Sequence, residues 1–166
     1  MSMEKRTEIL VVEDSFTQAL LIQAVLEEAD YRVGLAKNGL EALNYLKGRK
    51  PDLVVSDIIM PEMDGYEMCR HIKGDDTLKH IPVMLLTSLS DPEDVIRGLA
   101  CGADNFITKP YKETFLLARI KSILANRELR KRSPKGRGVE VIFGGKEYNI
   151  TSDRFQILDL LFSSFE

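Results

Sequence analysis

Five short apolar runs, separated by segments with helical patterns, constrain this chain more than any other feature of its sequence. Three runs are wholly apolar and two are weaker: residues 9–12, 53–55 and 83–86, then 33–36 and 106–108. Strands without a polar face belong to parallel sheets that helices cover on both sides. The pattern therefore predicts an α/β, doubly wound domain with five parallel strands and right-handed crossovers.

Capping signals place the helices between these runs. Ser15 followed by Gln18 forms a capping box for a helix that continues to residue 29. Asp91 is suited to cap a later helix, and Gly102 is suited to end it. Further helices are predicted at residues 38–47, 64–73 and 112 to about 126.

Composition excludes several classes of protein. The chain has 166 residues, of which 44% are hydrophobic and 30% charged, which fits a globular domain with an appendage. A net charge of −3 gives no general attraction to nucleic acid or anionic membranes, and no apolar run approaches the roughly 20 residues that span a bilayer. No signal peptide is recognised, and Cys69 and Cys101 lack metal-ligand spacing. We expect them to be core or surface thiols in a reducing, cytoplasmic setting.

Polar side chains follow four of the five predicted strands. In chain order they are Glu13 and Asp14, Asp57, Thr87 and Ser88, and Lys109. Ligands bind beyond the carboxyl ends of the strands in open α/β sheets. We therefore expect these side chains to form one site.

The chemistry of this set favours a metal ion and a phosphoryl group. Three clustered acids raise one another's pKa unless a cation lies among them, and oxygen ligands in a partly hydrated site suit Mg²⁺ better than zinc. A lysine and a hydroxyl add the donors that hold a phosphoryl group. Adjacent Glu13 and Asp14 are the better metal ligands, whereas Asp57, alone on a central strand, is the better nucleophile.

Four motifs make the chain resemble the CheY-like receiver domains of two-component response regulators. They are "LVVEDS" (10–15), "DIIMPEMDG" (57–65), "MLLTS" (84–88) and "GADNFITKPY" (102–111). They occur in family order and at family spacing, over about residues 7–126. The resemblance implies a flavodoxin-like fold with the strand order 2-1-3-4-5.

The resemblance also implies roles for the acids. Asp57 would be the phosphoacceptor and would receive its phosphoryl group from a histidine kinase or a histidine phosphotransfer protein. Asp14, Asp57 and the backbone carbonyl of Ile59 would bind Mg²⁺ directly, while Glu13 would act mainly through water.

The remaining motif residues would carry the signal away from the site. Lys109, from a cis Lys109–Pro110 bond, would pair with the phosphoryl oxygens, and Thr87 would hydrogen-bond to the phosphoryl group and shift toward it. By the same resemblance Phe106 would be the switch aromatic, which would turn inward when Thr87 moves, and its lack of a hydroxyl favours a buried position. The fourth helix, last strand and fifth helix (the α4-β5-α5 face) would carry the output.

Two apolar residues predict a long-lived phosphorylated state. Ile59 and Leu89 lie two residues beyond Asp57 and Thr87, and neither can orient an attacking water by hydrogen bonding. Aspartyl-nucleophile phosphatases need a second aspartate where this chain has Ile59. We therefore expect a signalling domain with slow self-dephosphorylation and not an enzyme with turnover.

The composition changes after residue 126, which gives three predicted units. Residues 1–126 form the receiver domain, 127–138 a basic helix end and linker, and 139–166 a β-hairpin around Gly144 and Gly145 with a following helix. Because about 28 residues make no independent core, the last unit is interpreted as the truncated start of an output or dimerisation module.

Three larger roles remain open at this point. The chain is interpreted first as the N-terminal receiver of a multidomain sensor histidine kinase. The alternatives are a receiver of a winged-helix DNA-binding regulator and an adaptor that binds partners without phosphorylation. A homodimer is compatible with each, and neither membrane binding nor direct nucleic-acid binding is expected of these residues.

Overall fold

The structure is a computed structural model that describes residues 6–88, 92–132, 139–143 and 146–150. Strands and helices alternate through most of the chain: β1 (Glu8–Val12), α1 (Phe16–Glu28), β2 (Arg32–Ala36), α2 (Gly39–Gly48), β3 (Leu53–Asp57), α3 (Gly65–Gly74), β4 (Val83–Thr87), α4 (Pro92–Cys101), β5 (Asn105–Thr108), α5 (Glu113–Arg132), β6 (Val139–Phe143) and β7 (Lys146–Ile150).

The first five strands form one parallel sheet in the order β2-β1-β3-β4-β5. This confirms the predicted fold class and strand order. Most strands begin or end a residue beyond the apolar runs, and β3 continues two residues further, to Asp57. Its last residue pairs in register with Leu86 of β4, while Thr87 pairs with Thr108 of β5.

Each face of the sheet is covered by its own core cluster, because successive side chains of a strand point to opposite faces. In β1, Leu10 and Val12 join the cluster under α2, α3 and α4, whereas Ile9 and Val11 join the cluster under α1 and α5. All four are at most 1% exposed. Strand burial of this kind contributes roughly 1.5–3 kcal/mol for each large side chain, which is why the runs carry no polar face.

Side-chain caps start the helices, with one departure from the sequence prediction. Ser15 Oγ accepts a hydrogen bond from the N–H of Gln18 at 3.4 Å, as a capping box requires. The N–H of Ser15, however, donates to Glu13 Oε1 at 3.3 Å, so Glu13 takes the reciprocal part expected of Gln18. At the end of α4, Gly102 adopts a φ of 85°, as predicted for its stop. Asp91 lies outside the described residues.

Helix α5 extends past the predicted end near residue 126, to Arg132. Arg127 fastens this part of the helix to the sheet: its Nη1 donates to the carbonyl oxygen of Asp52 at 2.8 Å and to Asp52 Oδ1 at 3.2 Å. Seventy-five residues separate these partners, so no local pattern announces the contact. No helix within the described ranges, α5 included, is both long and apolar enough to cross a membrane.

Strands β6 and β7 pair antiparallel, with Val139 opposite Ile150 and Phe143 opposite Lys146. This agrees with the predicted hairpin. Its turn residues Gly144 and Gly145, the linker at 133–138 and the predicted helix after residue 150 lie outside the described residues.

Gly65 offers a test of how α3 is seated against the end of β3. A Cβ built at Gly65 would lie 2.5 Å from the carbonyl oxygen of Asp57 and 3.0 Å from the Cα of Ile58, and both are backbone atoms that cannot swing aside. We expect Gly65→Ala to lower the free energy of unfolding by about 1–3 kcal/mol, the usual effect of overpacking, in urea denaturation.

The matched control is Gly74→Ala at the other end of α3, where a Cβ would meet nothing within 4 Å. That change should be neutral or slightly stabilising, because alanine loses less backbone entropy than glycine on folding. Equal effects of the two substitutions would contradict the close approach of Gly65 to Asp57.

Candidate functional site

Three acids converge at the carboxyl edge of the sheet. Val12 pairs with Ser56, so the residues that follow them, Glu13 and Asp57, come side by side. Glu13, Asp14 and Asp57 each offer a carboxylate oxygen within 4.8 Å of the others. Glu13 is buried, Asp57 is half-buried and Asp14 is exposed, so the cluster opens toward solvent on one side.

Lys109 reaches this cluster from the end of β5. Its Nζ lies 3.0 Å from Asp57 Oδ1, and the same oxygen accepts the N–H of Ile58 at 2.9 Å. The N–H of Lys109 donates to the carbonyl oxygen of Thr87 at 2.7 Å, and the Lys109–Pro110 peptide bond is cis, as expected. The structure therefore brings together the lysine, the threonine strand end and the predicted nucleophile.

Glu13 is the acid of the cluster whose charged form is least favourable. Its Oε2 atom is buried and has no hydrogen-bond partner among the described residues. The pKa of Glu13 is raised to about 7, chiefly by burial and next by the negative charge of Asp57, although the Lys109 ammonium acts in the opposite direction. A buried carboxylate oxygen without a donor, beside two further carboxylates, fits a bound divalent cation. The donor set contains only oxygen, which agrees with the predicted Mg²⁺.

The two predicted switch residues are buried in the neighbouring strands β4 and β5. Thr87 is 5% exposed at the end of β4, and Phe106 is 1% exposed in the middle of β5. The buried phenylalanine ring agrees with the preference inferred from its missing hydroxyl. Ile59, in the loop after β3, has a side chain that is 80% exposed, while Leu89 lies outside the described residues.

The sequence analysis assigned no role to Tyr111, although the charges of the acid cluster act on its hydroxyl in the folded protein. Burial raises the pKa of its hydroxyl, and the charges of Glu13 and Asp57 raise it further. The available signal was its position directly after Pro110, at the end of the motif that brings Lys109 into the site.

The comparisons with known proteins agree on one family. The protein-family model described as "Response regulator receiver domain" matches residues 9–121 of this chain. Among solved structures, the signal receiver domain of a signal transduction histidine kinase from Syntrophus aciditrophicus is 52% identical, with a TM-score of 0.70. That similarity covers 72% of this chain and 91% of the solved one.

Two curated relatives extend the comparison. The response regulator PleD of Caulobacter vibrioides is 41% identical over 140 residues, which make up 82% of this chain and 31% of PleD. The chain thus spans about a third of that relative's length. The probable transcriptional regulator ycf27 of Cyanophora paradoxa is 33% identical over 173 residues, covering 95% of this chain and 71% of the relative.

The unpaired oxygen of Glu13 leads to a stability prediction. In protein stripped of divalent cations, Glu13→Gln should raise the free energy of unfolding by about 1–3 kcal/mol, the usual cost of a buried polar atom without a partner. The amide removes one negative charge and can donate to a neighbouring carboxylate. Urea denaturation in the presence of a chelator measures the effect.

Glu28→Gln is the matched control, because it removes the same charge from an exposed side chain at the end of α1. Its effect should stay within about 0.5 kcal/mol, as for most surface substitutions. If Glu13→Gln left the stability unchanged or lowered it, the charge conflict would not be a property of the folded protein.

Proposed function

The chain belongs to the response regulator receiver domain family, and on that premise we propose that Asp57 accepts a phosphoryl group from a phosphohistidine. The donor is a histidine kinase or a histidine phosphotransfer protein of the cytoplasm. The observation that carries the proposal is the position of Asp57 at the end of β3, within hydrogen-bond distance of Lys109 and among two further acids.

The proposed step exchanges one bond for another. A carboxylate oxygen of Asp57 forms a bond to phosphorus as the phosphorus–nitrogen bond of the phosphohistidine breaks, which leaves an acyl phosphate and an imidazole. The Lys109 ammonium, held 3.0 Å from Asp57 Oδ1, is close enough to pair with the oxygens of the transferred group. Thr87 then donates its hydroxyl hydrogen to a phosphoryl oxygen.

Four groups are proposed to hold the metal ion: the carboxylates of Glu13, Asp14 and Asp57 and the backbone carbonyl of Ile59. Bound Mg²⁺ would supply positive charge against the phosphoryl oxygens and the three acids. The unpaired Oε2 of Glu13 supports its inclusion, and the family resemblance implies that its contact with the ion runs mainly through water.

The phosphoryl group is proposed to act on the α4-β5-α5 face through Thr87, whose shift would fix the Phe106 ring in the buried position that it already holds. Both residues lie in strands that join the acid cluster to this face. The face then changes its contacts with an attached output module or with a second copy of the chain.

The nature of the output module is a second proposal. The similarity to the probable transcriptional regulator ycf27 covers 95% of this chain, whereas the similarity to a much longer relative, histidine kinase P4 of Formosa agariphila, covers 75%. Only the former reaches well past α5, which favours a transcriptional regulator over the sensor kinase that the sequence pattern suggested first. A phosphorylation-independent adaptor is the weaker alternative, because it would not require the acids, Thr87 and Lys109 together.

Mass spectrometry of the intact protein tests the central step. Incubation with Mg²⁺ and acetyl phosphate should add about 80 Da, one phosphoryl group on a carboxylate nucleophile. The adduct should require Mg²⁺ and disappear in Asp57→Asn, whereas Asp64→Asn, at the N-cap of α3, should keep it. Failure of several phosphodonors to form the adduct would favour the adaptor.

Ile59 leads to a prediction about the lifetime of the adduct. The phosphorylated protein should lose its phosphoryl group over minutes to hours, because an exposed isoleucine offers an attacking water no hydrogen bond. Ile59→Asn should accelerate the loss about tenfold, which corresponds to a hydrogen bond worth about 1.4 kcal/mol in the transition state. Ile59→Val, which keeps the position apolar, should have little effect. A half-life of seconds in the unsubstituted protein would contradict the assignment.

A further inference from the structure

Gly98 in α4 and Phe106 in β5 share a space that only one of them can fill. A Cβ built at Gly98 would lie 1.6 Å from Cζ of Phe106, 2.5 Å from Cε2 and 2.6 Å from Cε1. All three distances are far below van der Waals contact, which for carbon atoms is about 3.5–4.0 Å. The tip of the aromatic ring therefore occupies the volume in which any side chain at Gly98 would begin.

Helix α4 is held in place around this point, so it cannot easily move away from the ring. Cys69 Sγ of α3 donates to the carbonyl oxygen of Cys101 at 3.4 Å, and the Arg97 guanidinium lies over the Tyr66 ring at 4.6 Å. Both contacts join α4 to α3. A substituent at Gly98 would press on a ring that is 1% exposed. The helix itself is bound to α3 both before Gly98, through Arg97, and after it, through Cys101.

A glycine is unusual at a buried position within a helix, because it loses more conformational freedom on folding than alanine does. Here the position is buried and lies three residues before the end of α4. No turn or left-handed backbone conformation accounts for it, since Gly98 has no positive φ. The close approach of Phe106 is the feature that requires a residue without a side chain.

We propose that Gly98 is the positioning residue that lets Phe106 stay buried, because its missing side chain leaves room for the tip of the ring. This inference rests on the proposed function in one respect, namely that Phe106 is the aromatic residue of the switch. The buried position of the ring then depends on the space that α4 leaves at Gly98. A side chain at Gly98 would drive the ring outward, onto the α4-β5-α5 face.

A double-mutant cycle tests the contact. Phe106→Leu removes the three ring atoms that the new Cβ would meet, since leucine has no counterpart of Cε1, Cε2 and Cζ. Gly98→Ala should lower the urea midpoint when Phe106 is present. In the Phe106→Leu background, the same change should leave the midpoint unchanged or raise it, because alanine is then free to stabilise the helix.

Gly48→Ala and Gly74→Ala are the controls, because each changes a helical glycine at which a Cβ would meet nothing within 4 Å. Their effects should be the same with and without Phe106→Leu. A loss of stability from Gly98→Ala that is equally large in both backgrounds would overturn the proposal, since Phe106 would then not be the residue that requires the glycine.

The position of the ring is measured separately, in protein with ¹³C-labelled phenylalanine rings and a soluble gadolinium chelate. The chain has seven phenylalanines, and the signal that Phe106→Leu removes identifies the ring of interest. In the unsubstituted, unphosphorylated protein this signal should resist broadening, whereas that of Phe16, which is 72% exposed, should be lost. In Gly98→Ala, the Phe106 signal should broaden as the Phe16 signal does.

Two results of this measurement would overturn the proposal: an accessible Phe106 ring in the unsubstituted protein, or a ring that stays protected in folded Gly98→Ala. If Gly98→Ala does not fold, the unsubstituted protein and the cycle with Phe106→Leu still decide. Repeating the experiments on Asp57→Asn separates this inference from the proposed function. That variant should abolish the phosphoryl adduct and leave every Gly98 and Phe106 result unchanged.

Discussion

The ion pair between Lys109 and Asp57 is the interaction on which the rest of the site depends. It spans the ends of β3 and β5 and places one positive charge among three negative ones. Without it, the acids would face only one another in a partly buried pocket, where like charges are costly. The backbone of Lys109 is also bound to Thr87, so the same residue sets the electrostatics of the site and the position of its loop.

The fold could be predicted because a parallel sheet that is covered on both faces produces a simple pattern of apolar runs in the sequence. Its strands are buried on both faces, so they read as apolar runs, and its ligand edge reads as the polar residues that follow them. The ends of the strands and helices were harder to predict from the sequence. Strand β3 reaches Asp57 through pairing with Leu86, and the later part of α5 is held by a bond from Arg127 to Asp52. Partners so distant in the chain leave no local signal.

In the candidate site, too, some features follow from the strand topology and others depend on contacts that the sequence does not indicate. Asp57, Glu13 and Lys109 could be placed from strand ends alone, because topology decides which edge they share. The spacing of residues in the sequence does not reveal which side chain accepts a given hydrogen bond or which side chain fills a shared space. Nothing local indicates that Glu13 takes the N–H of Ser15, or that Gly98 makes room for a ring eight residues further along the chain.

Helix α5 sets the direction in which the chain leaves the receiver domain. The helix runs without interruption from Glu113 to Arg132, and Arg127 ties it to the sheet shortly before its end. Beyond that tie, each residue turns the exit direction by about 100° and advances it by about 1.5 Å. Adding or removing a single residue there would re-aim the following segment by more than a quarter turn. The number of helical residues between Arg127 and the end of α5 at Arg132 thus sets the direction in which the following segment leaves the helix.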